Sequence, residues 1–538
     1  MTTKAVIDVL AQRLAARGVK RFFGVPGGDC SLDLIDACGR VGIDVVLTRD
    51  ETAAAMAACV TGELTGAPGV IMLTRGPGLA NAINGIAYAS LDRAPLLVLA
   101  DGYDPQNAHV SHQRYDQHAL VAPLVKGSCG LGGANPGADI DTLLDLACAT
   151  PPGAVYIEML GSQIRAQTGA ADAPKTVFAS AAKSAELPDD LRNMLASSQR
   201  PIIVAGMQAV DDEASNALRE LVAAWNCPVL HTYKSLGAVS CDDPRVLGFY
   251  NGGGVAEQPI VQQADLIVFF GLDAIEFPPH KFPYSAPVVE FTTHAFDRHA
   301  VKAQFSQVGD LAASARAIQA AVKPAQWSKS FFAEARAELK RKGDAGKGAG
   351  PITPQQLVDA VIAAAPDAHH TRICIDAGAH MLPVLHSWHA TAPRQSLISR
   401  GLASMGFALP AAIASSLEQP AHPVIAFTGD GGLMMCMGEL GTAVQSGCKF
   451  VVVVFNDASL TLISAKQERR KLANAGVDFS PANFAKAAEG FGALGIRVER
   501  PDDLASAFQR AFAHSGVAVV DVVVNPDAYR EQLLALRG

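Results

Sequence analysis

The chain is poor in charge: of its 538 residues only 18% are Asp, Glu, Lys or Arg, against 49% hydrophobic. Little surface remains for solvated tails, so a core-rich globular protein is expected, part of whose apolar surplus faces another subunit. The net charge of −8 is spread without acidic or basic blocks. That removes the electrostatic argument for nucleic acid or an anionic membrane and leaves a small molecule as the expected partner. The ten cysteines (30, 38, 59, 129, 148, 227, 241, 374, 436 and 448) include no CxxC pair and no metal-finger spacing; they read as reduced core residues. The longest apolar strand-like run, FVVVVF at 450–455, is far too short for a membrane span. The N-terminal MTTKAVIDVLAQRLAARG lacks an uninterrupted apolar stretch before a small-residue cleavage site and reads as an amphipathic helix. A soluble, cytoplasmic protein is the expectation.

At roughly 150 residues per domain, the length suggests three or four units. Helix-like segments alternate with short β-branched runs throughout: DVVL, GVIML, PLLVLA and AVYIEM; then PIIVAG, CPVLHT, ADLIVFFG and PVVEFT, with a helix near 310–321; then RICID, PVIAFTG, KFVVVVFN and VAVVDVVV. Such alternation is the signature of parallel sheets covered on both faces. The expected fold class is α/β, with three doubly wound parallel-sheet domains at 1–168, 188–335 and 350–538. An Ala/Ser/Pro-rich linker near 168–188 and the glycine-rich RKGDAGKGAGP at 341–351 separate them. No sequence repeat is visible, so only a similar architecture is expected.

One segment concentrates chemistry. GDGGLMMCMGELGTAVQSGCKFVVVVFND, 429–457, places Asp430 just past one strand and Asn456-Asp457 at the end of the next. In a doubly wound sheet, parallel neighbours put their carboxyl ends on one edge, where ligands collect. Gly429, Gly431 and Gly432 let the backbone approach a ligand and turn amides toward an anion. Two oxygen-bearing side chains and a backbone carbonyl form a hard-ligand set suited to Mg²⁺, completed by phosphates and water. Taken alone, GDG is also an ordinary turn and ND an ordinary loop start.

The segment resembles the thiamin-diphosphate motif, in which GDG is followed further along by a paired-amide NN element. The resemblance implies Asp430 and the side chain at 457 as metal ligands, with the carbonyl of Ser459 as the third; Asp457 stands where Asn is usual. Four more segments resemble acetolactate synthase-like enzymes of this family. LTRDETAAAMAACVTGELTG is similar to the HEQAAAHAA-type segment. It implies Glu51 as the carboxyl that hydrogen-bonds the aminopyrimidine and favours the tautomer able to deprotonate the thiazolium carbon. By itself Glu51 is equally a carboxylate favoured by a helix N-terminus. TRGPGLANAINGIAYASLDRAPLLVLAD at 74–101 resembles a TSGPGATN segment, with Arg75 for Ser. SRGLASMGFALPAAIAS at 399–415 implies Met405 as the wedge that bends the cofactor and the carbonyl of Ala403 as acceptor of its 4′-amino group. CIDAGAHMLPVL at 374–385 resembles a diphosphate loop, with His380 as donor and Ala379 in place of an amide. Together they imply pyrimidine-binding, middle and diphosphate-binding domains. They further imply a homodimer or homotetramer, because the site draws on domains of two subunits.

The reaction is less constrained. FGVPGGDCSLDL at 23–34 resembles the SVPGGA entrance loop but adds Asp29, which either steers protons or caps the following helix. In HVSHQRYDQHALVAPLVK at 109–126, His112 and Gln113 are the candidate catalytic side chains, with Gln117 and His118 as alternatives. NDASLTLISAKQ places Leu462 and Ile463 over the thiazolium. Pyruvate decarboxylase-like enzymes carry glutamate where Ile463 stands, so an apolar wall protecting the carbanion for a second carbonyl is expected instead. FAD and a CoA-type ADP site are not expected: ADLIVFFGLDAIEF lacks an Arg-Phe-Asp element, and PVVEFTTHAFDRHA lacks an acidic ribose-holding pattern. The leading expectation is a carboligase or lyase acting on a 2-keto acid, acyloin or aldehyde, closest to acetolactate synthase. The alternatives are a non-oxidative decarboxylase or benzaldehyde lyase-like enzyme, and a noncatalytic binding protein, against which the retention of Glu51 argues.

Overall fold

A computed structural model describes residues 3–169, 186–252, 254–277, 281–297, 301–346, 352–367 and 369–537. Most of the linker expected near 168–188 and the boundary expected near 350 lie outside the described residues. Three six-stranded sheets carry the chain, each wholly parallel. Edge to edge, the first runs Asp44–Leu47, Arg21–Val25, Gly69–Leu73, Leu96–Asp101, Ala154–Met159, Val125–Gly130. The third runs Ser396–Ile398, Arg372–Ile375, Val424–Gly429, Phe450–Asn456, Val517–Val523, Leu494–Val498. Numbered by chain order within each sheet, both read 2-1-3-4-6-5. The middle sheet runs Val246–Phe249, Val229–His231, Pro201–Ala205, Leu266–Phe270, Val288–Thr292, Phe305–Val308, which reads 3-2-1-4-5-6, the order of dinucleotide-binding folds. First and third sheets thus share a topology without a visible sequence repeat. A short antiparallel ribbon joins Thr3–Ala5 to Gln167–Gly169.

All the β-branched runs read from the sequence are strands, and the N-terminal helix spans Val6–Ala16. Besides the two strands of the short ribbon, six strands escaped that reading. Five are sheet edges, such as Phe305–Val308, where alternating burial dilutes the apolar signal. The sixth, Arg21–Val25, lies inside the first sheet, and the loop expected at 23–34 is in fact the end of this strand and the helix Cys30–Arg40. Gly24 masks it, and no other residue fits there: an added Cβ would lie 2.1 Å from the carbonyl oxygen of Met72 on the neighbouring strand.

The described residues form two compact units. One comprises those of Met1–Ala179 with Leu409–Ala421 and Met435–Cys448; the other comprises those of Ser180–Ala408, His422–Met434 and Lys449–Gly538. In the first, the Ala-rich helix Glu51–Thr65 packs against Pro77–Leu91 so closely that a Cβ on Gly85 would stand 2.3 Å from that of Ala55. The middle and third sheets share one hydrophobic core in the second unit. All ten cysteines are free thiols. Among the described residues no helix is long and apolar enough to cross a membrane.

Candidate active site

Gly429 pairs with Phe455 across the third sheet, so the two strands end together and their turns meet. Asp430 opens the helix Asp430–Cys436 and is 4% exposed. Its Oδ1 accepts the Gly431 N–H at 2.6 Å and its Oδ2 the Ala458 N–H at 2.6 Å. Asp457 accepts from Ser459 N–H at 3.1 Å and from the Thr461 hydroxyl at 2.6 Å. Burial raises the Asp430 pKa against the opposing pull of the backbone donors. Burial also pushes Asp457 up to about 7; the Thr461 hydroxyl opposes this, and the charge of Asp430 adds to it. Two carboxylates forced together away from water are what a divalent cation neutralises. Among the described residues no three His, Cys, Asp or Glu side chains cluster as a metal site, so a hard cation held here would need main-chain and phosphate oxygens to complete its shell.

The turn is strained in a useful direction. Ala458 has φ +56°, uncommon for a residue with a side chain, and in that conformation its N–H reaches Asp430. Asn456 points elsewhere, donating to Asp521 Oδ1 at 2.8 Å and the Ala482 carbonyl at 3.0 Å. It is a structural tie rather than part of the cluster. The Ser459 hydroxyl is engaged by Val477 O and Asp478.

His380 lies beside this edge, buried and stacked on Phe455 at 5.4 Å between ring centroids. Its Nε2 has no partner among the described residues, and burial lowers its pKa to about 3, so it is a neutral imidazole. A Cβ on Gly429 would stand 3.3 Å from His380 Nδ1, and one on Gly431 3.3 Å from Met405 Cε. The sequence-nominated His380, Gly429, Asp430, Gly431 and Met405 therefore converge, and Asp457 joins them through Ala458. An orphaned buried ring nitrogen, paired carboxylates and a glycine cradle fit a diphosphate with a divalent ion. Ala403, at φ +55°, lies two residues before Met405.

Gly432 serves another purpose: its missing Cβ would meet Asp376 Oδ2 at 2.3 Å. Asp376 was not nominated from the sequence. Buried, it accepts from the N–H groups of Phe407 and Ala408 at 2.6 and 2.7 Å and from the Thr428 hydroxyl at 2.6 Å, binding the Met405 turn to the GDG strand. Its position at the end of Arg372–Ile375, like that of Asp430 after Val424–Gly429, was the available signal. Tyr529 was also missed. Fully buried on Asp527–Arg537, it has its pKa pushed up by burial and then by the charges of Asp457 and Asp430. Leu462 and Ile463 do not form one wall. As consecutive residues of the helix Thr461–Arg469 they diverge by about 100°, so Leu462 packs on the core while Ile463 is 43% exposed.

In the other unit, Glu51 is the first residue of its helix. Asn81 Nδ2 donates to Glu51 Oε2 at 2.7 Å and to Asp50 Oδ2 at 2.8 Å, and Asp50 caps the helix through the Ala53 N–H. The TRGPGLAN motif and the Glu51 motif are thus one construction. Asp29 stands at the N-cap position of Cys30–Arg40 but makes no capping bond; the capping alternative is corrected. Asp29 instead pairs with Arg75, and with Arg165 at 3.0 Å, and these cations hold its pKa low despite burial. Arg75 also lies over the Tyr103 ring at 4.2 Å. His112 and Gln113 are exposed on their loop. Of the alternatives, His118 pairs with Glu158 at 3.3 Å. Gln117 is a buried brace, accepting from Gly76 N–H at 2.9 Å and donating to the Asp101 carbonyl at 3.0 Å and Glu158 at 2.9 Å.

Fold and site together define a cofactor-dependent α/β enzyme whose ligand is gathered at the carboxyl edge of a parallel sheet. Three family profiles narrow the class: thiamine pyrophosphate enzyme, N-terminal TPP binding domain, over residues 4–120; central domain over 189–318; and C-terminal TPP binding domain over 376–522. The chain belongs to the thiamin-diphosphate-dependent enzymes of carbon–carbon bond chemistry. Its relatives include the acetolactate synthase of Bacillus subtilis (strain 168), 27% identical over 96% of this chain and 93% of that protein. The catabolic acetolactate synthase of Raoultella terrigena is 25% identical over 98% and 96%. The acetolactate synthase isozyme 2 large subunit of Escherichia coli (strain K12) is 28% identical over 95% and 94%.

Proposed function

We propose that the protein is a Mg²⁺-dependent carboligase or lyase that makes or breaks the bond beside the carbonyl of a 2-keto acid or acyloin, as the names of its acetolactate synthase relatives suggest. The observation that carries this reading is Ile463, apolar and 43% exposed on the helix that follows the Asp457 turn. An alkyl side chain there delivers no proton, which favours capture of a second carbonyl over protonation.

Thiamin diphosphate, when bound, would supply a carbon acid whose conjugate base adds to a carbonyl, and an electron sink for the pair left by the departing fragment. Asp430, Asp457 and the Ser459 carbonyl would hold Mg²⁺, and His380 Nε2 and the amides around Gly429, Gly431 and Gly432 would hold the diphosphate. Met405 would prop the cofactor, with the Ala403 carbonyl accepting from its amino group. Glu51 would hold a proton at the pyrimidine nitrogen, oriented by Asn81. Asp29, kept ionised by Arg75 and Arg165, and the exposed His112 and Gln113 would meet substrate. We take the active form to be a homodimer or homotetramer, for which the exposed Met434, Ile463 and Leu472 offer apolar surface.

Incubation with pyruvate, thiamin diphosphate and Mg²⁺ tests the reading: acetolactate or acetoin is the expected product, and exclusive acetaldehyde would replace it with a non-oxidative decarboxylase. Glu51→Gln should lower kcat about 100- to 10,000-fold with cofactor binding intact; a kcat that stays at the wild-type value removes Glu51 from the chemistry.

A further inference from the structure

Glu439 lies nine positions after Asp430 and opens the helix Glu439–Gln445. It is 1% exposed, an unusual place for a carboxylate without a task. Its Oε1 accepts the backbone N–H of Arg49 at 2.8 Å. Burial raises its pKa, opposed by the Thr442 hydroxyl and the amides of Arg49 and Asp50. Two more side chains of the same helix grip the same turn: Thr442 donates to the Leu47 carbonyl at 3.3 Å, and Gln445 Oε1 accepts from Arg49 Nη2 at 2.7 Å. Arg49 closes the turn on itself by donating from Nη1 to the Leu47 carbonyl at 2.8 Å. The gripped residues, Leu47 to Asp50, lead directly into Glu51.

We propose that Glu439 is a positioning residue for the activating carboxylate: by holding the main chain of Arg49 and Asp50 it fixes the direction in which Glu51 leaves the turn. Asn81 restrains the Glu51 side chain, and Glu439 restrains the main chain just before it. The inference rests on the role assigned to Glu51, but its physical core, a clamp on the 47–50 turn, stands apart from that role.

Two measurements separate the two. In cofactor-free enzyme, hydrogen–deuterium exchange of the peptide spanning Arg49 to Ala53 should accelerate in Glu439→Ala and return to the wild-type rate in Glu439→Gln, which keeps the acceptor oxygen. With cofactor bound, Glu439→Ala should lower kcat about tenfold, leave cofactor affinity and KM within about twofold, and add nothing to the loss already caused by Glu51→Gln. Wild-type exchange in Glu439→Ala would overturn the clamp. Faster exchange with unchanged kcat, or an equal further loss in the Glu51→Gln background, would overturn its link to Glu51. If Glu439→Ala does not fold, the pair Thr442→Val and Gln445→Ala must accelerate exchange of the same peptide, and failure to do so overturns the proposal.

Discussion

Asn81 stands with its carboxamide nitrogen 2.7 Å from Glu51 Oε2 and 2.8 Å from Asp50 Oδ2, so one side chain holds two adjacent carboxylates at a helix start. Asn81→Ala should leave Asp50 capping the helix and lower kcat about tenfold, or about 1.4 kcal/mol of transition-state stabilisation. Steady-state kinetics beside a thermal melt check this; a large drop in Tm with unchanged kcat would make Asn81 purely structural.

Gly432→Ala drives a methyl group into Asp376 Oδ2, 2.3 Å away, and toward Thr428 Oγ1, 2.9 Å away. Asp376 is fixed by three donors and has little room to retreat. The variant should lose roughly 1–3 kcal/mol of stability and bind thiamin diphosphate more weakly, because the Met405 turn loses its anchor. Denaturant unfolding and a cofactor titration read the two effects separately.

Glu276 gives a pH dependence. Buried at the switch point of the middle sheet, it accepts from Met207 N–H at 2.8 Å, Asp273 N–H at 3.1 Å and the Thr232 hydroxyl. Burial nonetheless lifts its pKa to about 7. A carboxyl with a raised folded-state pKa stabilises the protein most below its unfolded pKa near 4.5, and that stability drains away as pH rises through 7. The difference in Tm between Glu276→Gln and the wild type should therefore move in favour of the variant from pH 5 to pH 8. A constant difference would contradict the shift.

The same carboxylate occupies amides that a dinucleotide diphosphate takes in folds of this strand order. Wild-type enzyme equilibrated with FAD and desalted should therefore retain no stoichiometric flavin, as its absorbance spectrum would report.

Arg75 and Arg165 hold the Asp29 pKa down. Arg75→Ser removes one of the two cations, so Asp29 should titrate at higher pH and the acid limb of the kcat/KM profile should move the same way. An acid limb that stays in place would mean that ionised Asp29 is not needed for turnover.

The strands with dense β-branched runs were legible because burial on both faces leaves little choice of residue. Asp430, His380, Met405 and Glu51 were nominated because each sits in a short motif with a recognisable pattern. Edge strands such as Val125–Gly130 and Phe305–Val308 were not legible, since alternate exposure there tolerates Ser, Gln and Lys. Asp376 and Glu439 were hidden for another reason: each works on the backbone of a segment remote in sequence, and nothing beside it in the chain announces that partner.

The sequence by itself determined three parallel-sheet units and placed candidate ligand-holding residues at strand ends, because periodicity and turn chemistry are local. Only the tertiary structure decided that Asp29 serves its arginines rather than its helix, and that Asn81 and Glu439 grip the approach to Glu51. Those outcomes depend on which distant groups arrive within hydrogen-bond reach, and that distance is fixed by packing.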